Sequence, residues 1–344
     1  MNDHIQAGAV YVQTNDADDN EVVAYRRAGD GTLRPLGRYS TGGRGNGKPH
    51  LPSQSSLALS GDGRWLLVTN AGSDDVSLFA VEPEGLRLAD QAPSGSGPTS
   101  VAVHGELVYV LANGSASIGG FRLADGKLTP LEDSTRPLSS AEADGAQVSF
   151  SRDGRTLVVT ERGTNSISSY AVDEHGFAEG PATIQSSGAT PYGFDFAARG
   201  AVVVTEAFGG EIGKAAASSY SVSSPGRLAP VSGSVGDTRS EVCWAAATKD
   251  GRFVYVTNFG DGTISSYSVA ADGSLALLEP VAASTRLGEP GIRDEALTAD
   301  GSYLYAIDAD SQRVHGWKVG DDGRLEPVGA FEGVPATVAG LAAS

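Results

Sequence analysis

The 344 residues carry 42 Asp and Glu against 25 Lys and Arg, a formal net charge of −17. This disfavours nucleic acid and anionic membranes as partners, because both draw on clustered cations. A single cysteine excludes an internal disulfide and any multi-cysteine metal site, and no apolar run reaches the length of about 18 residues that a bilayer span needs.

The first residues, Met1-Asn2-Asp3-His4-Ile5-Gln6, hold no basic segment followed by an apolar core, so the expected location is the cytoplasm. Ala9-Val10-Tyr11-Val12-Gln13 then reads as a strand closed by the polar Thr14, with no strand before it to pair with. A Gly-rich segment, Gly42 to Gly47, leads into the loop Lys48-Pro49-His50-Leu51-Pro52-Ser53-Gln54. The apolar run Leu66-Leu67-Val68 ends at Asn70, and equivalent runs end at Ala112, Glu161 and Glu206.

The clearest unit comes next. Trp244-Ala245-Ala246-Ala247 is a first strand and Lys249-Asp250-Gly251-Arg252 a tight turn. Phe253 to Asn258 is a second strand and Thr263 to Val269 a third, and Asp272-Gly273-Ser274-Leu275 turns into a fourth near Leu277. A further unit ends its second strand at Asp308, and the chain finishes on Thr337 to Ala342, a first strand with no second strand after it.

Thr14, Asn70, Ala112, Glu161, Glu206, Asn258 and Asp308 thus mark seven units at intervals of 42 to 56 residues, and the step from Asp308 through the termini to Thr14 is 50. Units of four antiparallel strands at this period predict an all-β, seven-bladed β-propeller. It forms one domain over 1–344, with the two ends sharing a blade and closing the ring. The 46 glycines suit an architecture that needs several tight turns per blade.

In such a ring the first strands line the channel, and their starts lie at the same rim as the ends of the second strands. The rim therefore gathers Asn15, Asn70, Asn113, Glu161, Glu206, Asn258 and Asp308 with His50, Ser53, Gln54, Thr99, Gln147, Tyr192, Glu241, Trp244, Arg293, Asp294 and Thr337. Asn and Asp at strand ends commonly cap turns. Glu is a poor strand and turn residue, so Glu161 and Glu206, on adjacent blades, are expected side by side as a pair able to hold a proton. The alternative is that each pairs with a local base such as Arg162. Arg293 is placed to grip an anion, or else to bridge to Asp308. His50 lies in the rim loop. His104, His175 and His315 fall in turns or an outer strand, and no histidine pair has metal-ligand spacing, so neither metal nor cofactor is expected. Cys243 reads as buried filler.

The turns Ser151-Arg152-Asp153-Gly154-Arg155 and Lys249 to Arg252, with Thr190-Pro191-Tyr192-Gly193-Phe194 leading to Thr205-Glu206-Ala207-Phe208-Gly209-Gly210 and Glu241-Val242-Cys243-Trp244 leading to Thr257-Asn258, carry a resemblance over essentially the whole chain. It resembles the lactonase family of seven-bladed propellers, which includes 6-phosphogluconolactonase and carboxymuconate cyclase. Where better-known members have Gly-Pro-Arg-His before a strand, this chain reads Asp144-Gly145-Ala146-Gln147.

The resemblance implies a small lactone or related unsaturated acid as substrate. Glu161 or Glu206 would be general base, with Arg293 and His50 holding the anion. Gln54, Asn70, Gln147, Tyr192, Trp244, Asn258, Asp294 and Asp308 would line the site. The alternatives are a cyclase or isomerase of the same family, or a propeller that only binds a small ligand or a protein.

Overall fold

The computed structural model describes residues 8–197, 200–223 and 226–344. Its local unit is set by a repeated turn. In Ser60-Gly61-Asp62-Gly63, Ser151-Arg152-Asp153-Gly154, Thr248-Lys249-Asp250-Gly251 and Thr298-Ala299-Asp300-Gly301 the hydroxyl donates to the Asp carboxylate two residues on, at 2.6 to 2.7 Å. The glycine that follows sits at φ between 69° and 75°, a left-handed backbone that other residues adopt at a cost. Each turn joins a first strand to a second, as in Gly145–Phe150 and Thr156–Glu161, or Val242–Ala247 and Phe253–Asn258.

Seven four-stranded antiparallel sheets result, one of them with a short extra strand, Arg136–Pro137. We number the blades from the one holding the chain start. The second strands end at Gln13, Asn70, Ala112, Glu161, Glu206, Asn258 and Asp308. Blade 1 is completed by the C-terminal strand Gly340–Ala343, which pairs antiparallel with Gly8–Gln13 (Val10 opposite Ala343, Gln13 opposite Gly340). This strand starts later than the sequence suggests, because Val338 is drawn into a parallel bridge with His50.

The apolar core is divided into seven layers, one between each pair of neighbouring blades. Between blades 7 and 1, Tyr305 and Ile307 meet Val10, Val12 and Tyr25. Between blades 6 and 7, Tyr255 and Ile264 meet Leu304 and Trp317. Second strands are covered on both faces and so read as continuous apolar runs. Tyrosines latch the layers together: the hydroxyls of Tyr109, Tyr255 and Tyr305 donate to the carbonyls of Gly176, Gly323 and Gly31 in the next blade's outer turn, at 2.7 to 2.9 Å. Each hydroxyl is thereby satisfied inside an apolar layer.

Candidate functional site

The geometry of the rim begins with β-bulges. First strands start with one paired residue and then slip register, between Pro98 and Ser100, Gly145 and Gln147, Pro191 and Phe194, Val242 and Trp244, and Ile292 and Glu295. A bulge frees a residue from the ladder and re-aims its side chain. The freed residues include Ala146, Tyr192, Cys243 and Arg293. Ala146, Tyr192, Cys243 and Trp244 form one small buried cluster at the mouth, with Phe259 packed against it.

Blade 2 contributes only a short first strand, Leu57–Leu59, and the segment before it crosses the channel instead. The Leu51 N–H donates to Val338 in blade 1, the Gln54 N–H to Ala146 in blade 4, and the Trp244 indole of blade 6 to the Ser53 carbonyl. The Gln54 amide pairs with both backbone groups of Ala245, donating at 2.7 Å and accepting at 3.1 Å. This strap separates a mouth from the channel beneath it.

The mouth is basic and aromatic. The Arg293 guanidinium lies 4.5 Å from the Phe259 ring centre and that of Arg162 lies 5.0 Å from the Tyr192 ring centre. Tyr192 meets Trp244 edge-on at 5.6 Å, and His50 stacks on Phe259 at 6.4 Å. Arg293 is 8% exposed and its Nε has no hydrogen-bond partner among the described residues. Arg162 also holds the Asp144 carboxylate at 2.7 Å. Burial, then the charges of Arg293, Arg162 and Lys48, push the His50 imidazole down to about 4, so it is neutral at pH 7. Burial pushes the Cys243 thiol far up, with Glu241 adding to it, which leaves a poor nucleophile.

Glu241 is the acid of this mouth. It occupies a left-handed backbone position at φ 57°, an uncommon setting for a residue with a long side chain. Its carboxylate makes no hydrogen bond or ion pair among the described residues, and it reaches toward Gly210 in the neighbouring rim loop. Burial raises its pKa while the nearby Arg293 charge opposes that rise.

The structure brings together His50, Tyr192, Trp244 and Arg293 as anticipated. It does not bring Glu161 and Glu206 together. Both are fully buried. Glu161 accepts from the Ser139 N–H, from the hydroxyls of Thr164 and Ser168 at 3.0 and 2.6 Å, and from that of Ser139. Glu206 accepts from the Gly188 N–H at 2.7 Å and from the hydroxyls of Ser218, Ser234 and Ser186. The two share no partner, and Arg162 bonds neither.

Asn70 and Asn258 occupy the same structural place, donating to Ser77 and Ser265 on the third strands of their own blades. Asp308 is held by Arg286 at 3.1 Å, not by Arg293. Gln147 has its carbonyl oxygen committed to the Phe194 N–H and Gln54 is committed to Ala245. Asp294 lies below the strap, bound to the Leu341 N–H of blade 1.

Glu241, Arg162 and Phe259 were missed in these roles. Arg162 and Phe259 each follow the last residue of a second strand. Since strand side chains alternate, the residue after an inward-tied Glu161 or Asn258 is the one sent to the mouth. Among the described residues no group of three or more His, Cys, Asp or Glu is arranged to hold a metal ion, and no helix is long and apolar enough to cross a membrane.

Comparison with known proteins agrees with this architecture. A family model described as a lactonase, 7-bladed beta-propeller, matches residues 47–207 and 204–339. Among solved structures, a candidate 6-phosphogluconolactonase of Bacteroides fragilis superposes with a TM-score of 0.77 at 18% identity, covering 100% of this chain and 99% of that one. A candidate 6-phosphogluconolactonase of Bacteroides uniformis gives 0.76 at 20% identity, covering 98% and 99%. The periplasmic gluconolactonase of Pseudomonas aeruginosa gives 0.74 at 20%, covering 98% of each chain. At these identities the likeness is one of fold. No curated protein sequence matches the chain. With the match extending over most of its length, the chain belongs to the lactonase family of seven-bladed β-propellers.

Proposed function

We propose that the mouth hydrolyses a small lactone bearing an anionic group, with Glu241 as general base. The observation that carries this reading is an unpartnered Glu241 carboxylate next to Arg293, a buried guanidinium with an unused N–H. The Glu241 carboxylate takes a proton from water as the water oxygen attacks the lactone carbonyl carbon. Negative charge develops on the carbonyl oxygen and the buried Arg293 guanidinium neutralises it. Collapse breaks the ring C–O bond, and the departing alkoxide takes the proton from Glu241, giving the open hydroxy acid. Arg162 holds the anionic substituent, Tyr192 and Trp244 supply an apolar wall, and neutral His50 offers hydrogen bonds without charge.

Glu161 and Glu206 have no part in this scheme, since their lone pairs are occupied within their blades. Gluconolactone-type substrates are suggested by the Pseudomonas aeruginosa gluconolactonase of the same fold, and two arginines favour a phosphorylated or carboxylated one.

The test is hydrolysis of phosphogluconolactone, gluconolactone and a muconolactone-type acid by wild type, Glu241→Gln and Glu161→Gln. Turnover that collapses only in Glu241→Gln supports the reading. Turnover that survives in Glu241→Gln refutes it. Absence of turnover by wild type on every lactone would make the mouth an anion-binding or isomerising site.

A further inference from the structure

Below the strap the channel widens into a cavity of 410 Å³ on the opposite side from the mouth. Its wall is more polar than apolar, with Leu59, Phe194, Ala246, Leu297 and Leu341 supplying the apolar part. Set into that wall are three carboxylates, and they are not equivalent. Asp195 accepts from the Phe196 and Ala247 N–H groups at 2.7 and 2.8 Å. Asp294 accepts from the Glu295 and Leu341 N–H groups at 2.9 and 3.2 Å. Those two carboxylates tie neighbouring first strands together, which gives them a structural role. Glu295 does nothing of the kind. It is 3% exposed, and neither of its oxygens meets a donor among the described residues.

Among the buried side chains of the described residues, Glu295 is the one carboxyl with both oxygens unmet, which costs stability and gives a reason to expect an occupant. Among the described residues, the sole basic side chain on the cavity wall is the exposed Lys249, near the far end.

We propose that this cavity is a binding site for a small organic ammonium ion, held against the Glu295 carboxylate. An ammonium group supplies the hydrogen-bond donors that Glu295 lacks, and an alkyl or ring body suits the Leu, Ala and Phe walls. A metal ion fits less well, because among the described residues no three ligating side chains are arranged to hold one. The volume lies within the range of about 300–1,000 Å³ typical of small-molecule sites.

The charged and titratable groups facing Glu295 are Asp294, Asp195 and Tyr255, with Lys249 at the rim. Burial above all, then the two aspartates, push Glu295 well above the usual carboxylate range. A bound RNH3⁺ favours the Glu295 carboxylate, so binding is coupled to loss of the proton from the acid form. The site is independent of the lactone chemistry at the mouth.

The experiment is isothermal titration of the full chain at pH 8 with 1,4-diaminobutane, in two buffers of different ionisation enthalpy. 1,4-Butanediol and calcium chloride are run as separate arms. The expected result is one diamine per chain with proton release, no binding of the diol, and at least a tenfold loss of affinity in Glu295→Gln. That variant keeps its shape without a buried charge and should melt no lower than wild type. Ser149→Trp, which fills the cavity without touching Glu295, should block binding as well. Equal binding of diol and diamine, tighter binding of calcium, undiminished binding in Glu295→Gln, or no diamine binding would each overturn the proposal.

Discussion

The two ends of the channel are built from the same strands and carry opposite chemistry. The mouth holds Arg162, Arg293, Lys48 and His50 around Phe259, Tyr192 and Trp244, while the cavity below holds Asp195, Asp294 and Glu295. The strap through Gln54 is what keeps them apart. It starts from blade 2 and reaches blades 4 and 6 across the ring through Ala146 and Ala245, so the channel is two chambers and not one pore. The difference shows that a propeller's symmetry fixes where side chains can stand, while the bulge at each first-strand start decides which of them leave the ladder. Above the strap the bulges release Tyr192, Cys243 and Arg293. Below it, Asp195 and Glu295 come from paired strand positions and Asp294 from the same bulge as Arg293.

The sharpest way to test the division between working and structural carboxylates is to compare Glu241 with Glu161. Glu241→Gln should lower kcat for a lactone by roughly 10²- to 10⁴-fold with little change in KM, the range for losing a general base. Glu161→Ala should leave kcat per folded molecule intact. It strands the hydroxyls of Ser139, Thr164 and Ser168 and one backbone N–H. A stability loss of roughly 1–3 kcal/mol is expected, visible as a lower melting temperature. Steady-state kinetics alongside thermal melts separate the two outcomes, and a kcat collapse in Glu161→Ala would show that the buried knot reaches the chemistry.

The basic character of the mouth is tested next. Arg293→Ala and Arg162→Ala should each weaken binding of an anionic product analogue by about 10- to 100-fold, the worth of one charge-assisted contact. Arg293→Lys should recover only part of this, because a lysine restores the charge but not the flat stack on Phe259. Competition titrations with gluconate and 6-phosphogluconate measure both effects. Equal affinity of the two ligands in wild type would argue that the arginines serve packing alone.

Much of the ring was legible in the sequence, and the reason is physical. The Ser/Thr-x-Asp-Gly turn is a local device whose hydrogen bonds lie within four residues, so it announces itself without tertiary context. The second strands are buried on both faces, so their apolar runs and polar stops stand out, and each stop lies within one residue of where its strand ends. The site was harder to read, because it depends on direction and not on position. Glu161 and Glu206 sit at the rim as expected, but their side chains turn into their own blades, as Asn70 and Asn258 do, toward serines that become neighbours only through strand pairing. Shifting one residue along the alternation from Glu161 and Asn258 would have picked Arg162 and Phe259. Glu241 has no such pattern, since its aim comes from the bulge and a left-handed backbone. The crossing of the strap by Gln54 is a contact 191 residues distant in sequence, beyond the reach of any local rule.

The smallest expected effect is also the one that opposes the two chambers most directly, through the pH dependence of stability. His50 has its pKa depressed from 6.5 to about 4 in the folded state. Between those values the unfolded chain binds the extra proton, so this group's contribution is complete above pH 6.5 and is lost as pH falls toward 4. Asp294 is shifted the other way, from 3.8 to about 8, by burial that outweighs its backbone hydrogen bonds. Between those values the folded chain holds the extra proton, so its contribution is present at acid pH and is lost as pH rises through 8. The mouth therefore loses stability as pH falls from 6.5 to about 4, and the channel as pH rises from 3.8 to about 8. His50→Gln should flatten the melting-temperature profile between pH 4 and 6.5 and leave the alkaline limb alone. Asp294→Asn should remove a stability loss that runs from pH 3.8 to about 8, across the His50 window and beyond it. Each change should amount to a few degrees, measured by calorimetry against wild type at matched ionic strength. A change above pH 6.5 in His50→Gln would mean that the strap couples the chambers instead of separating them.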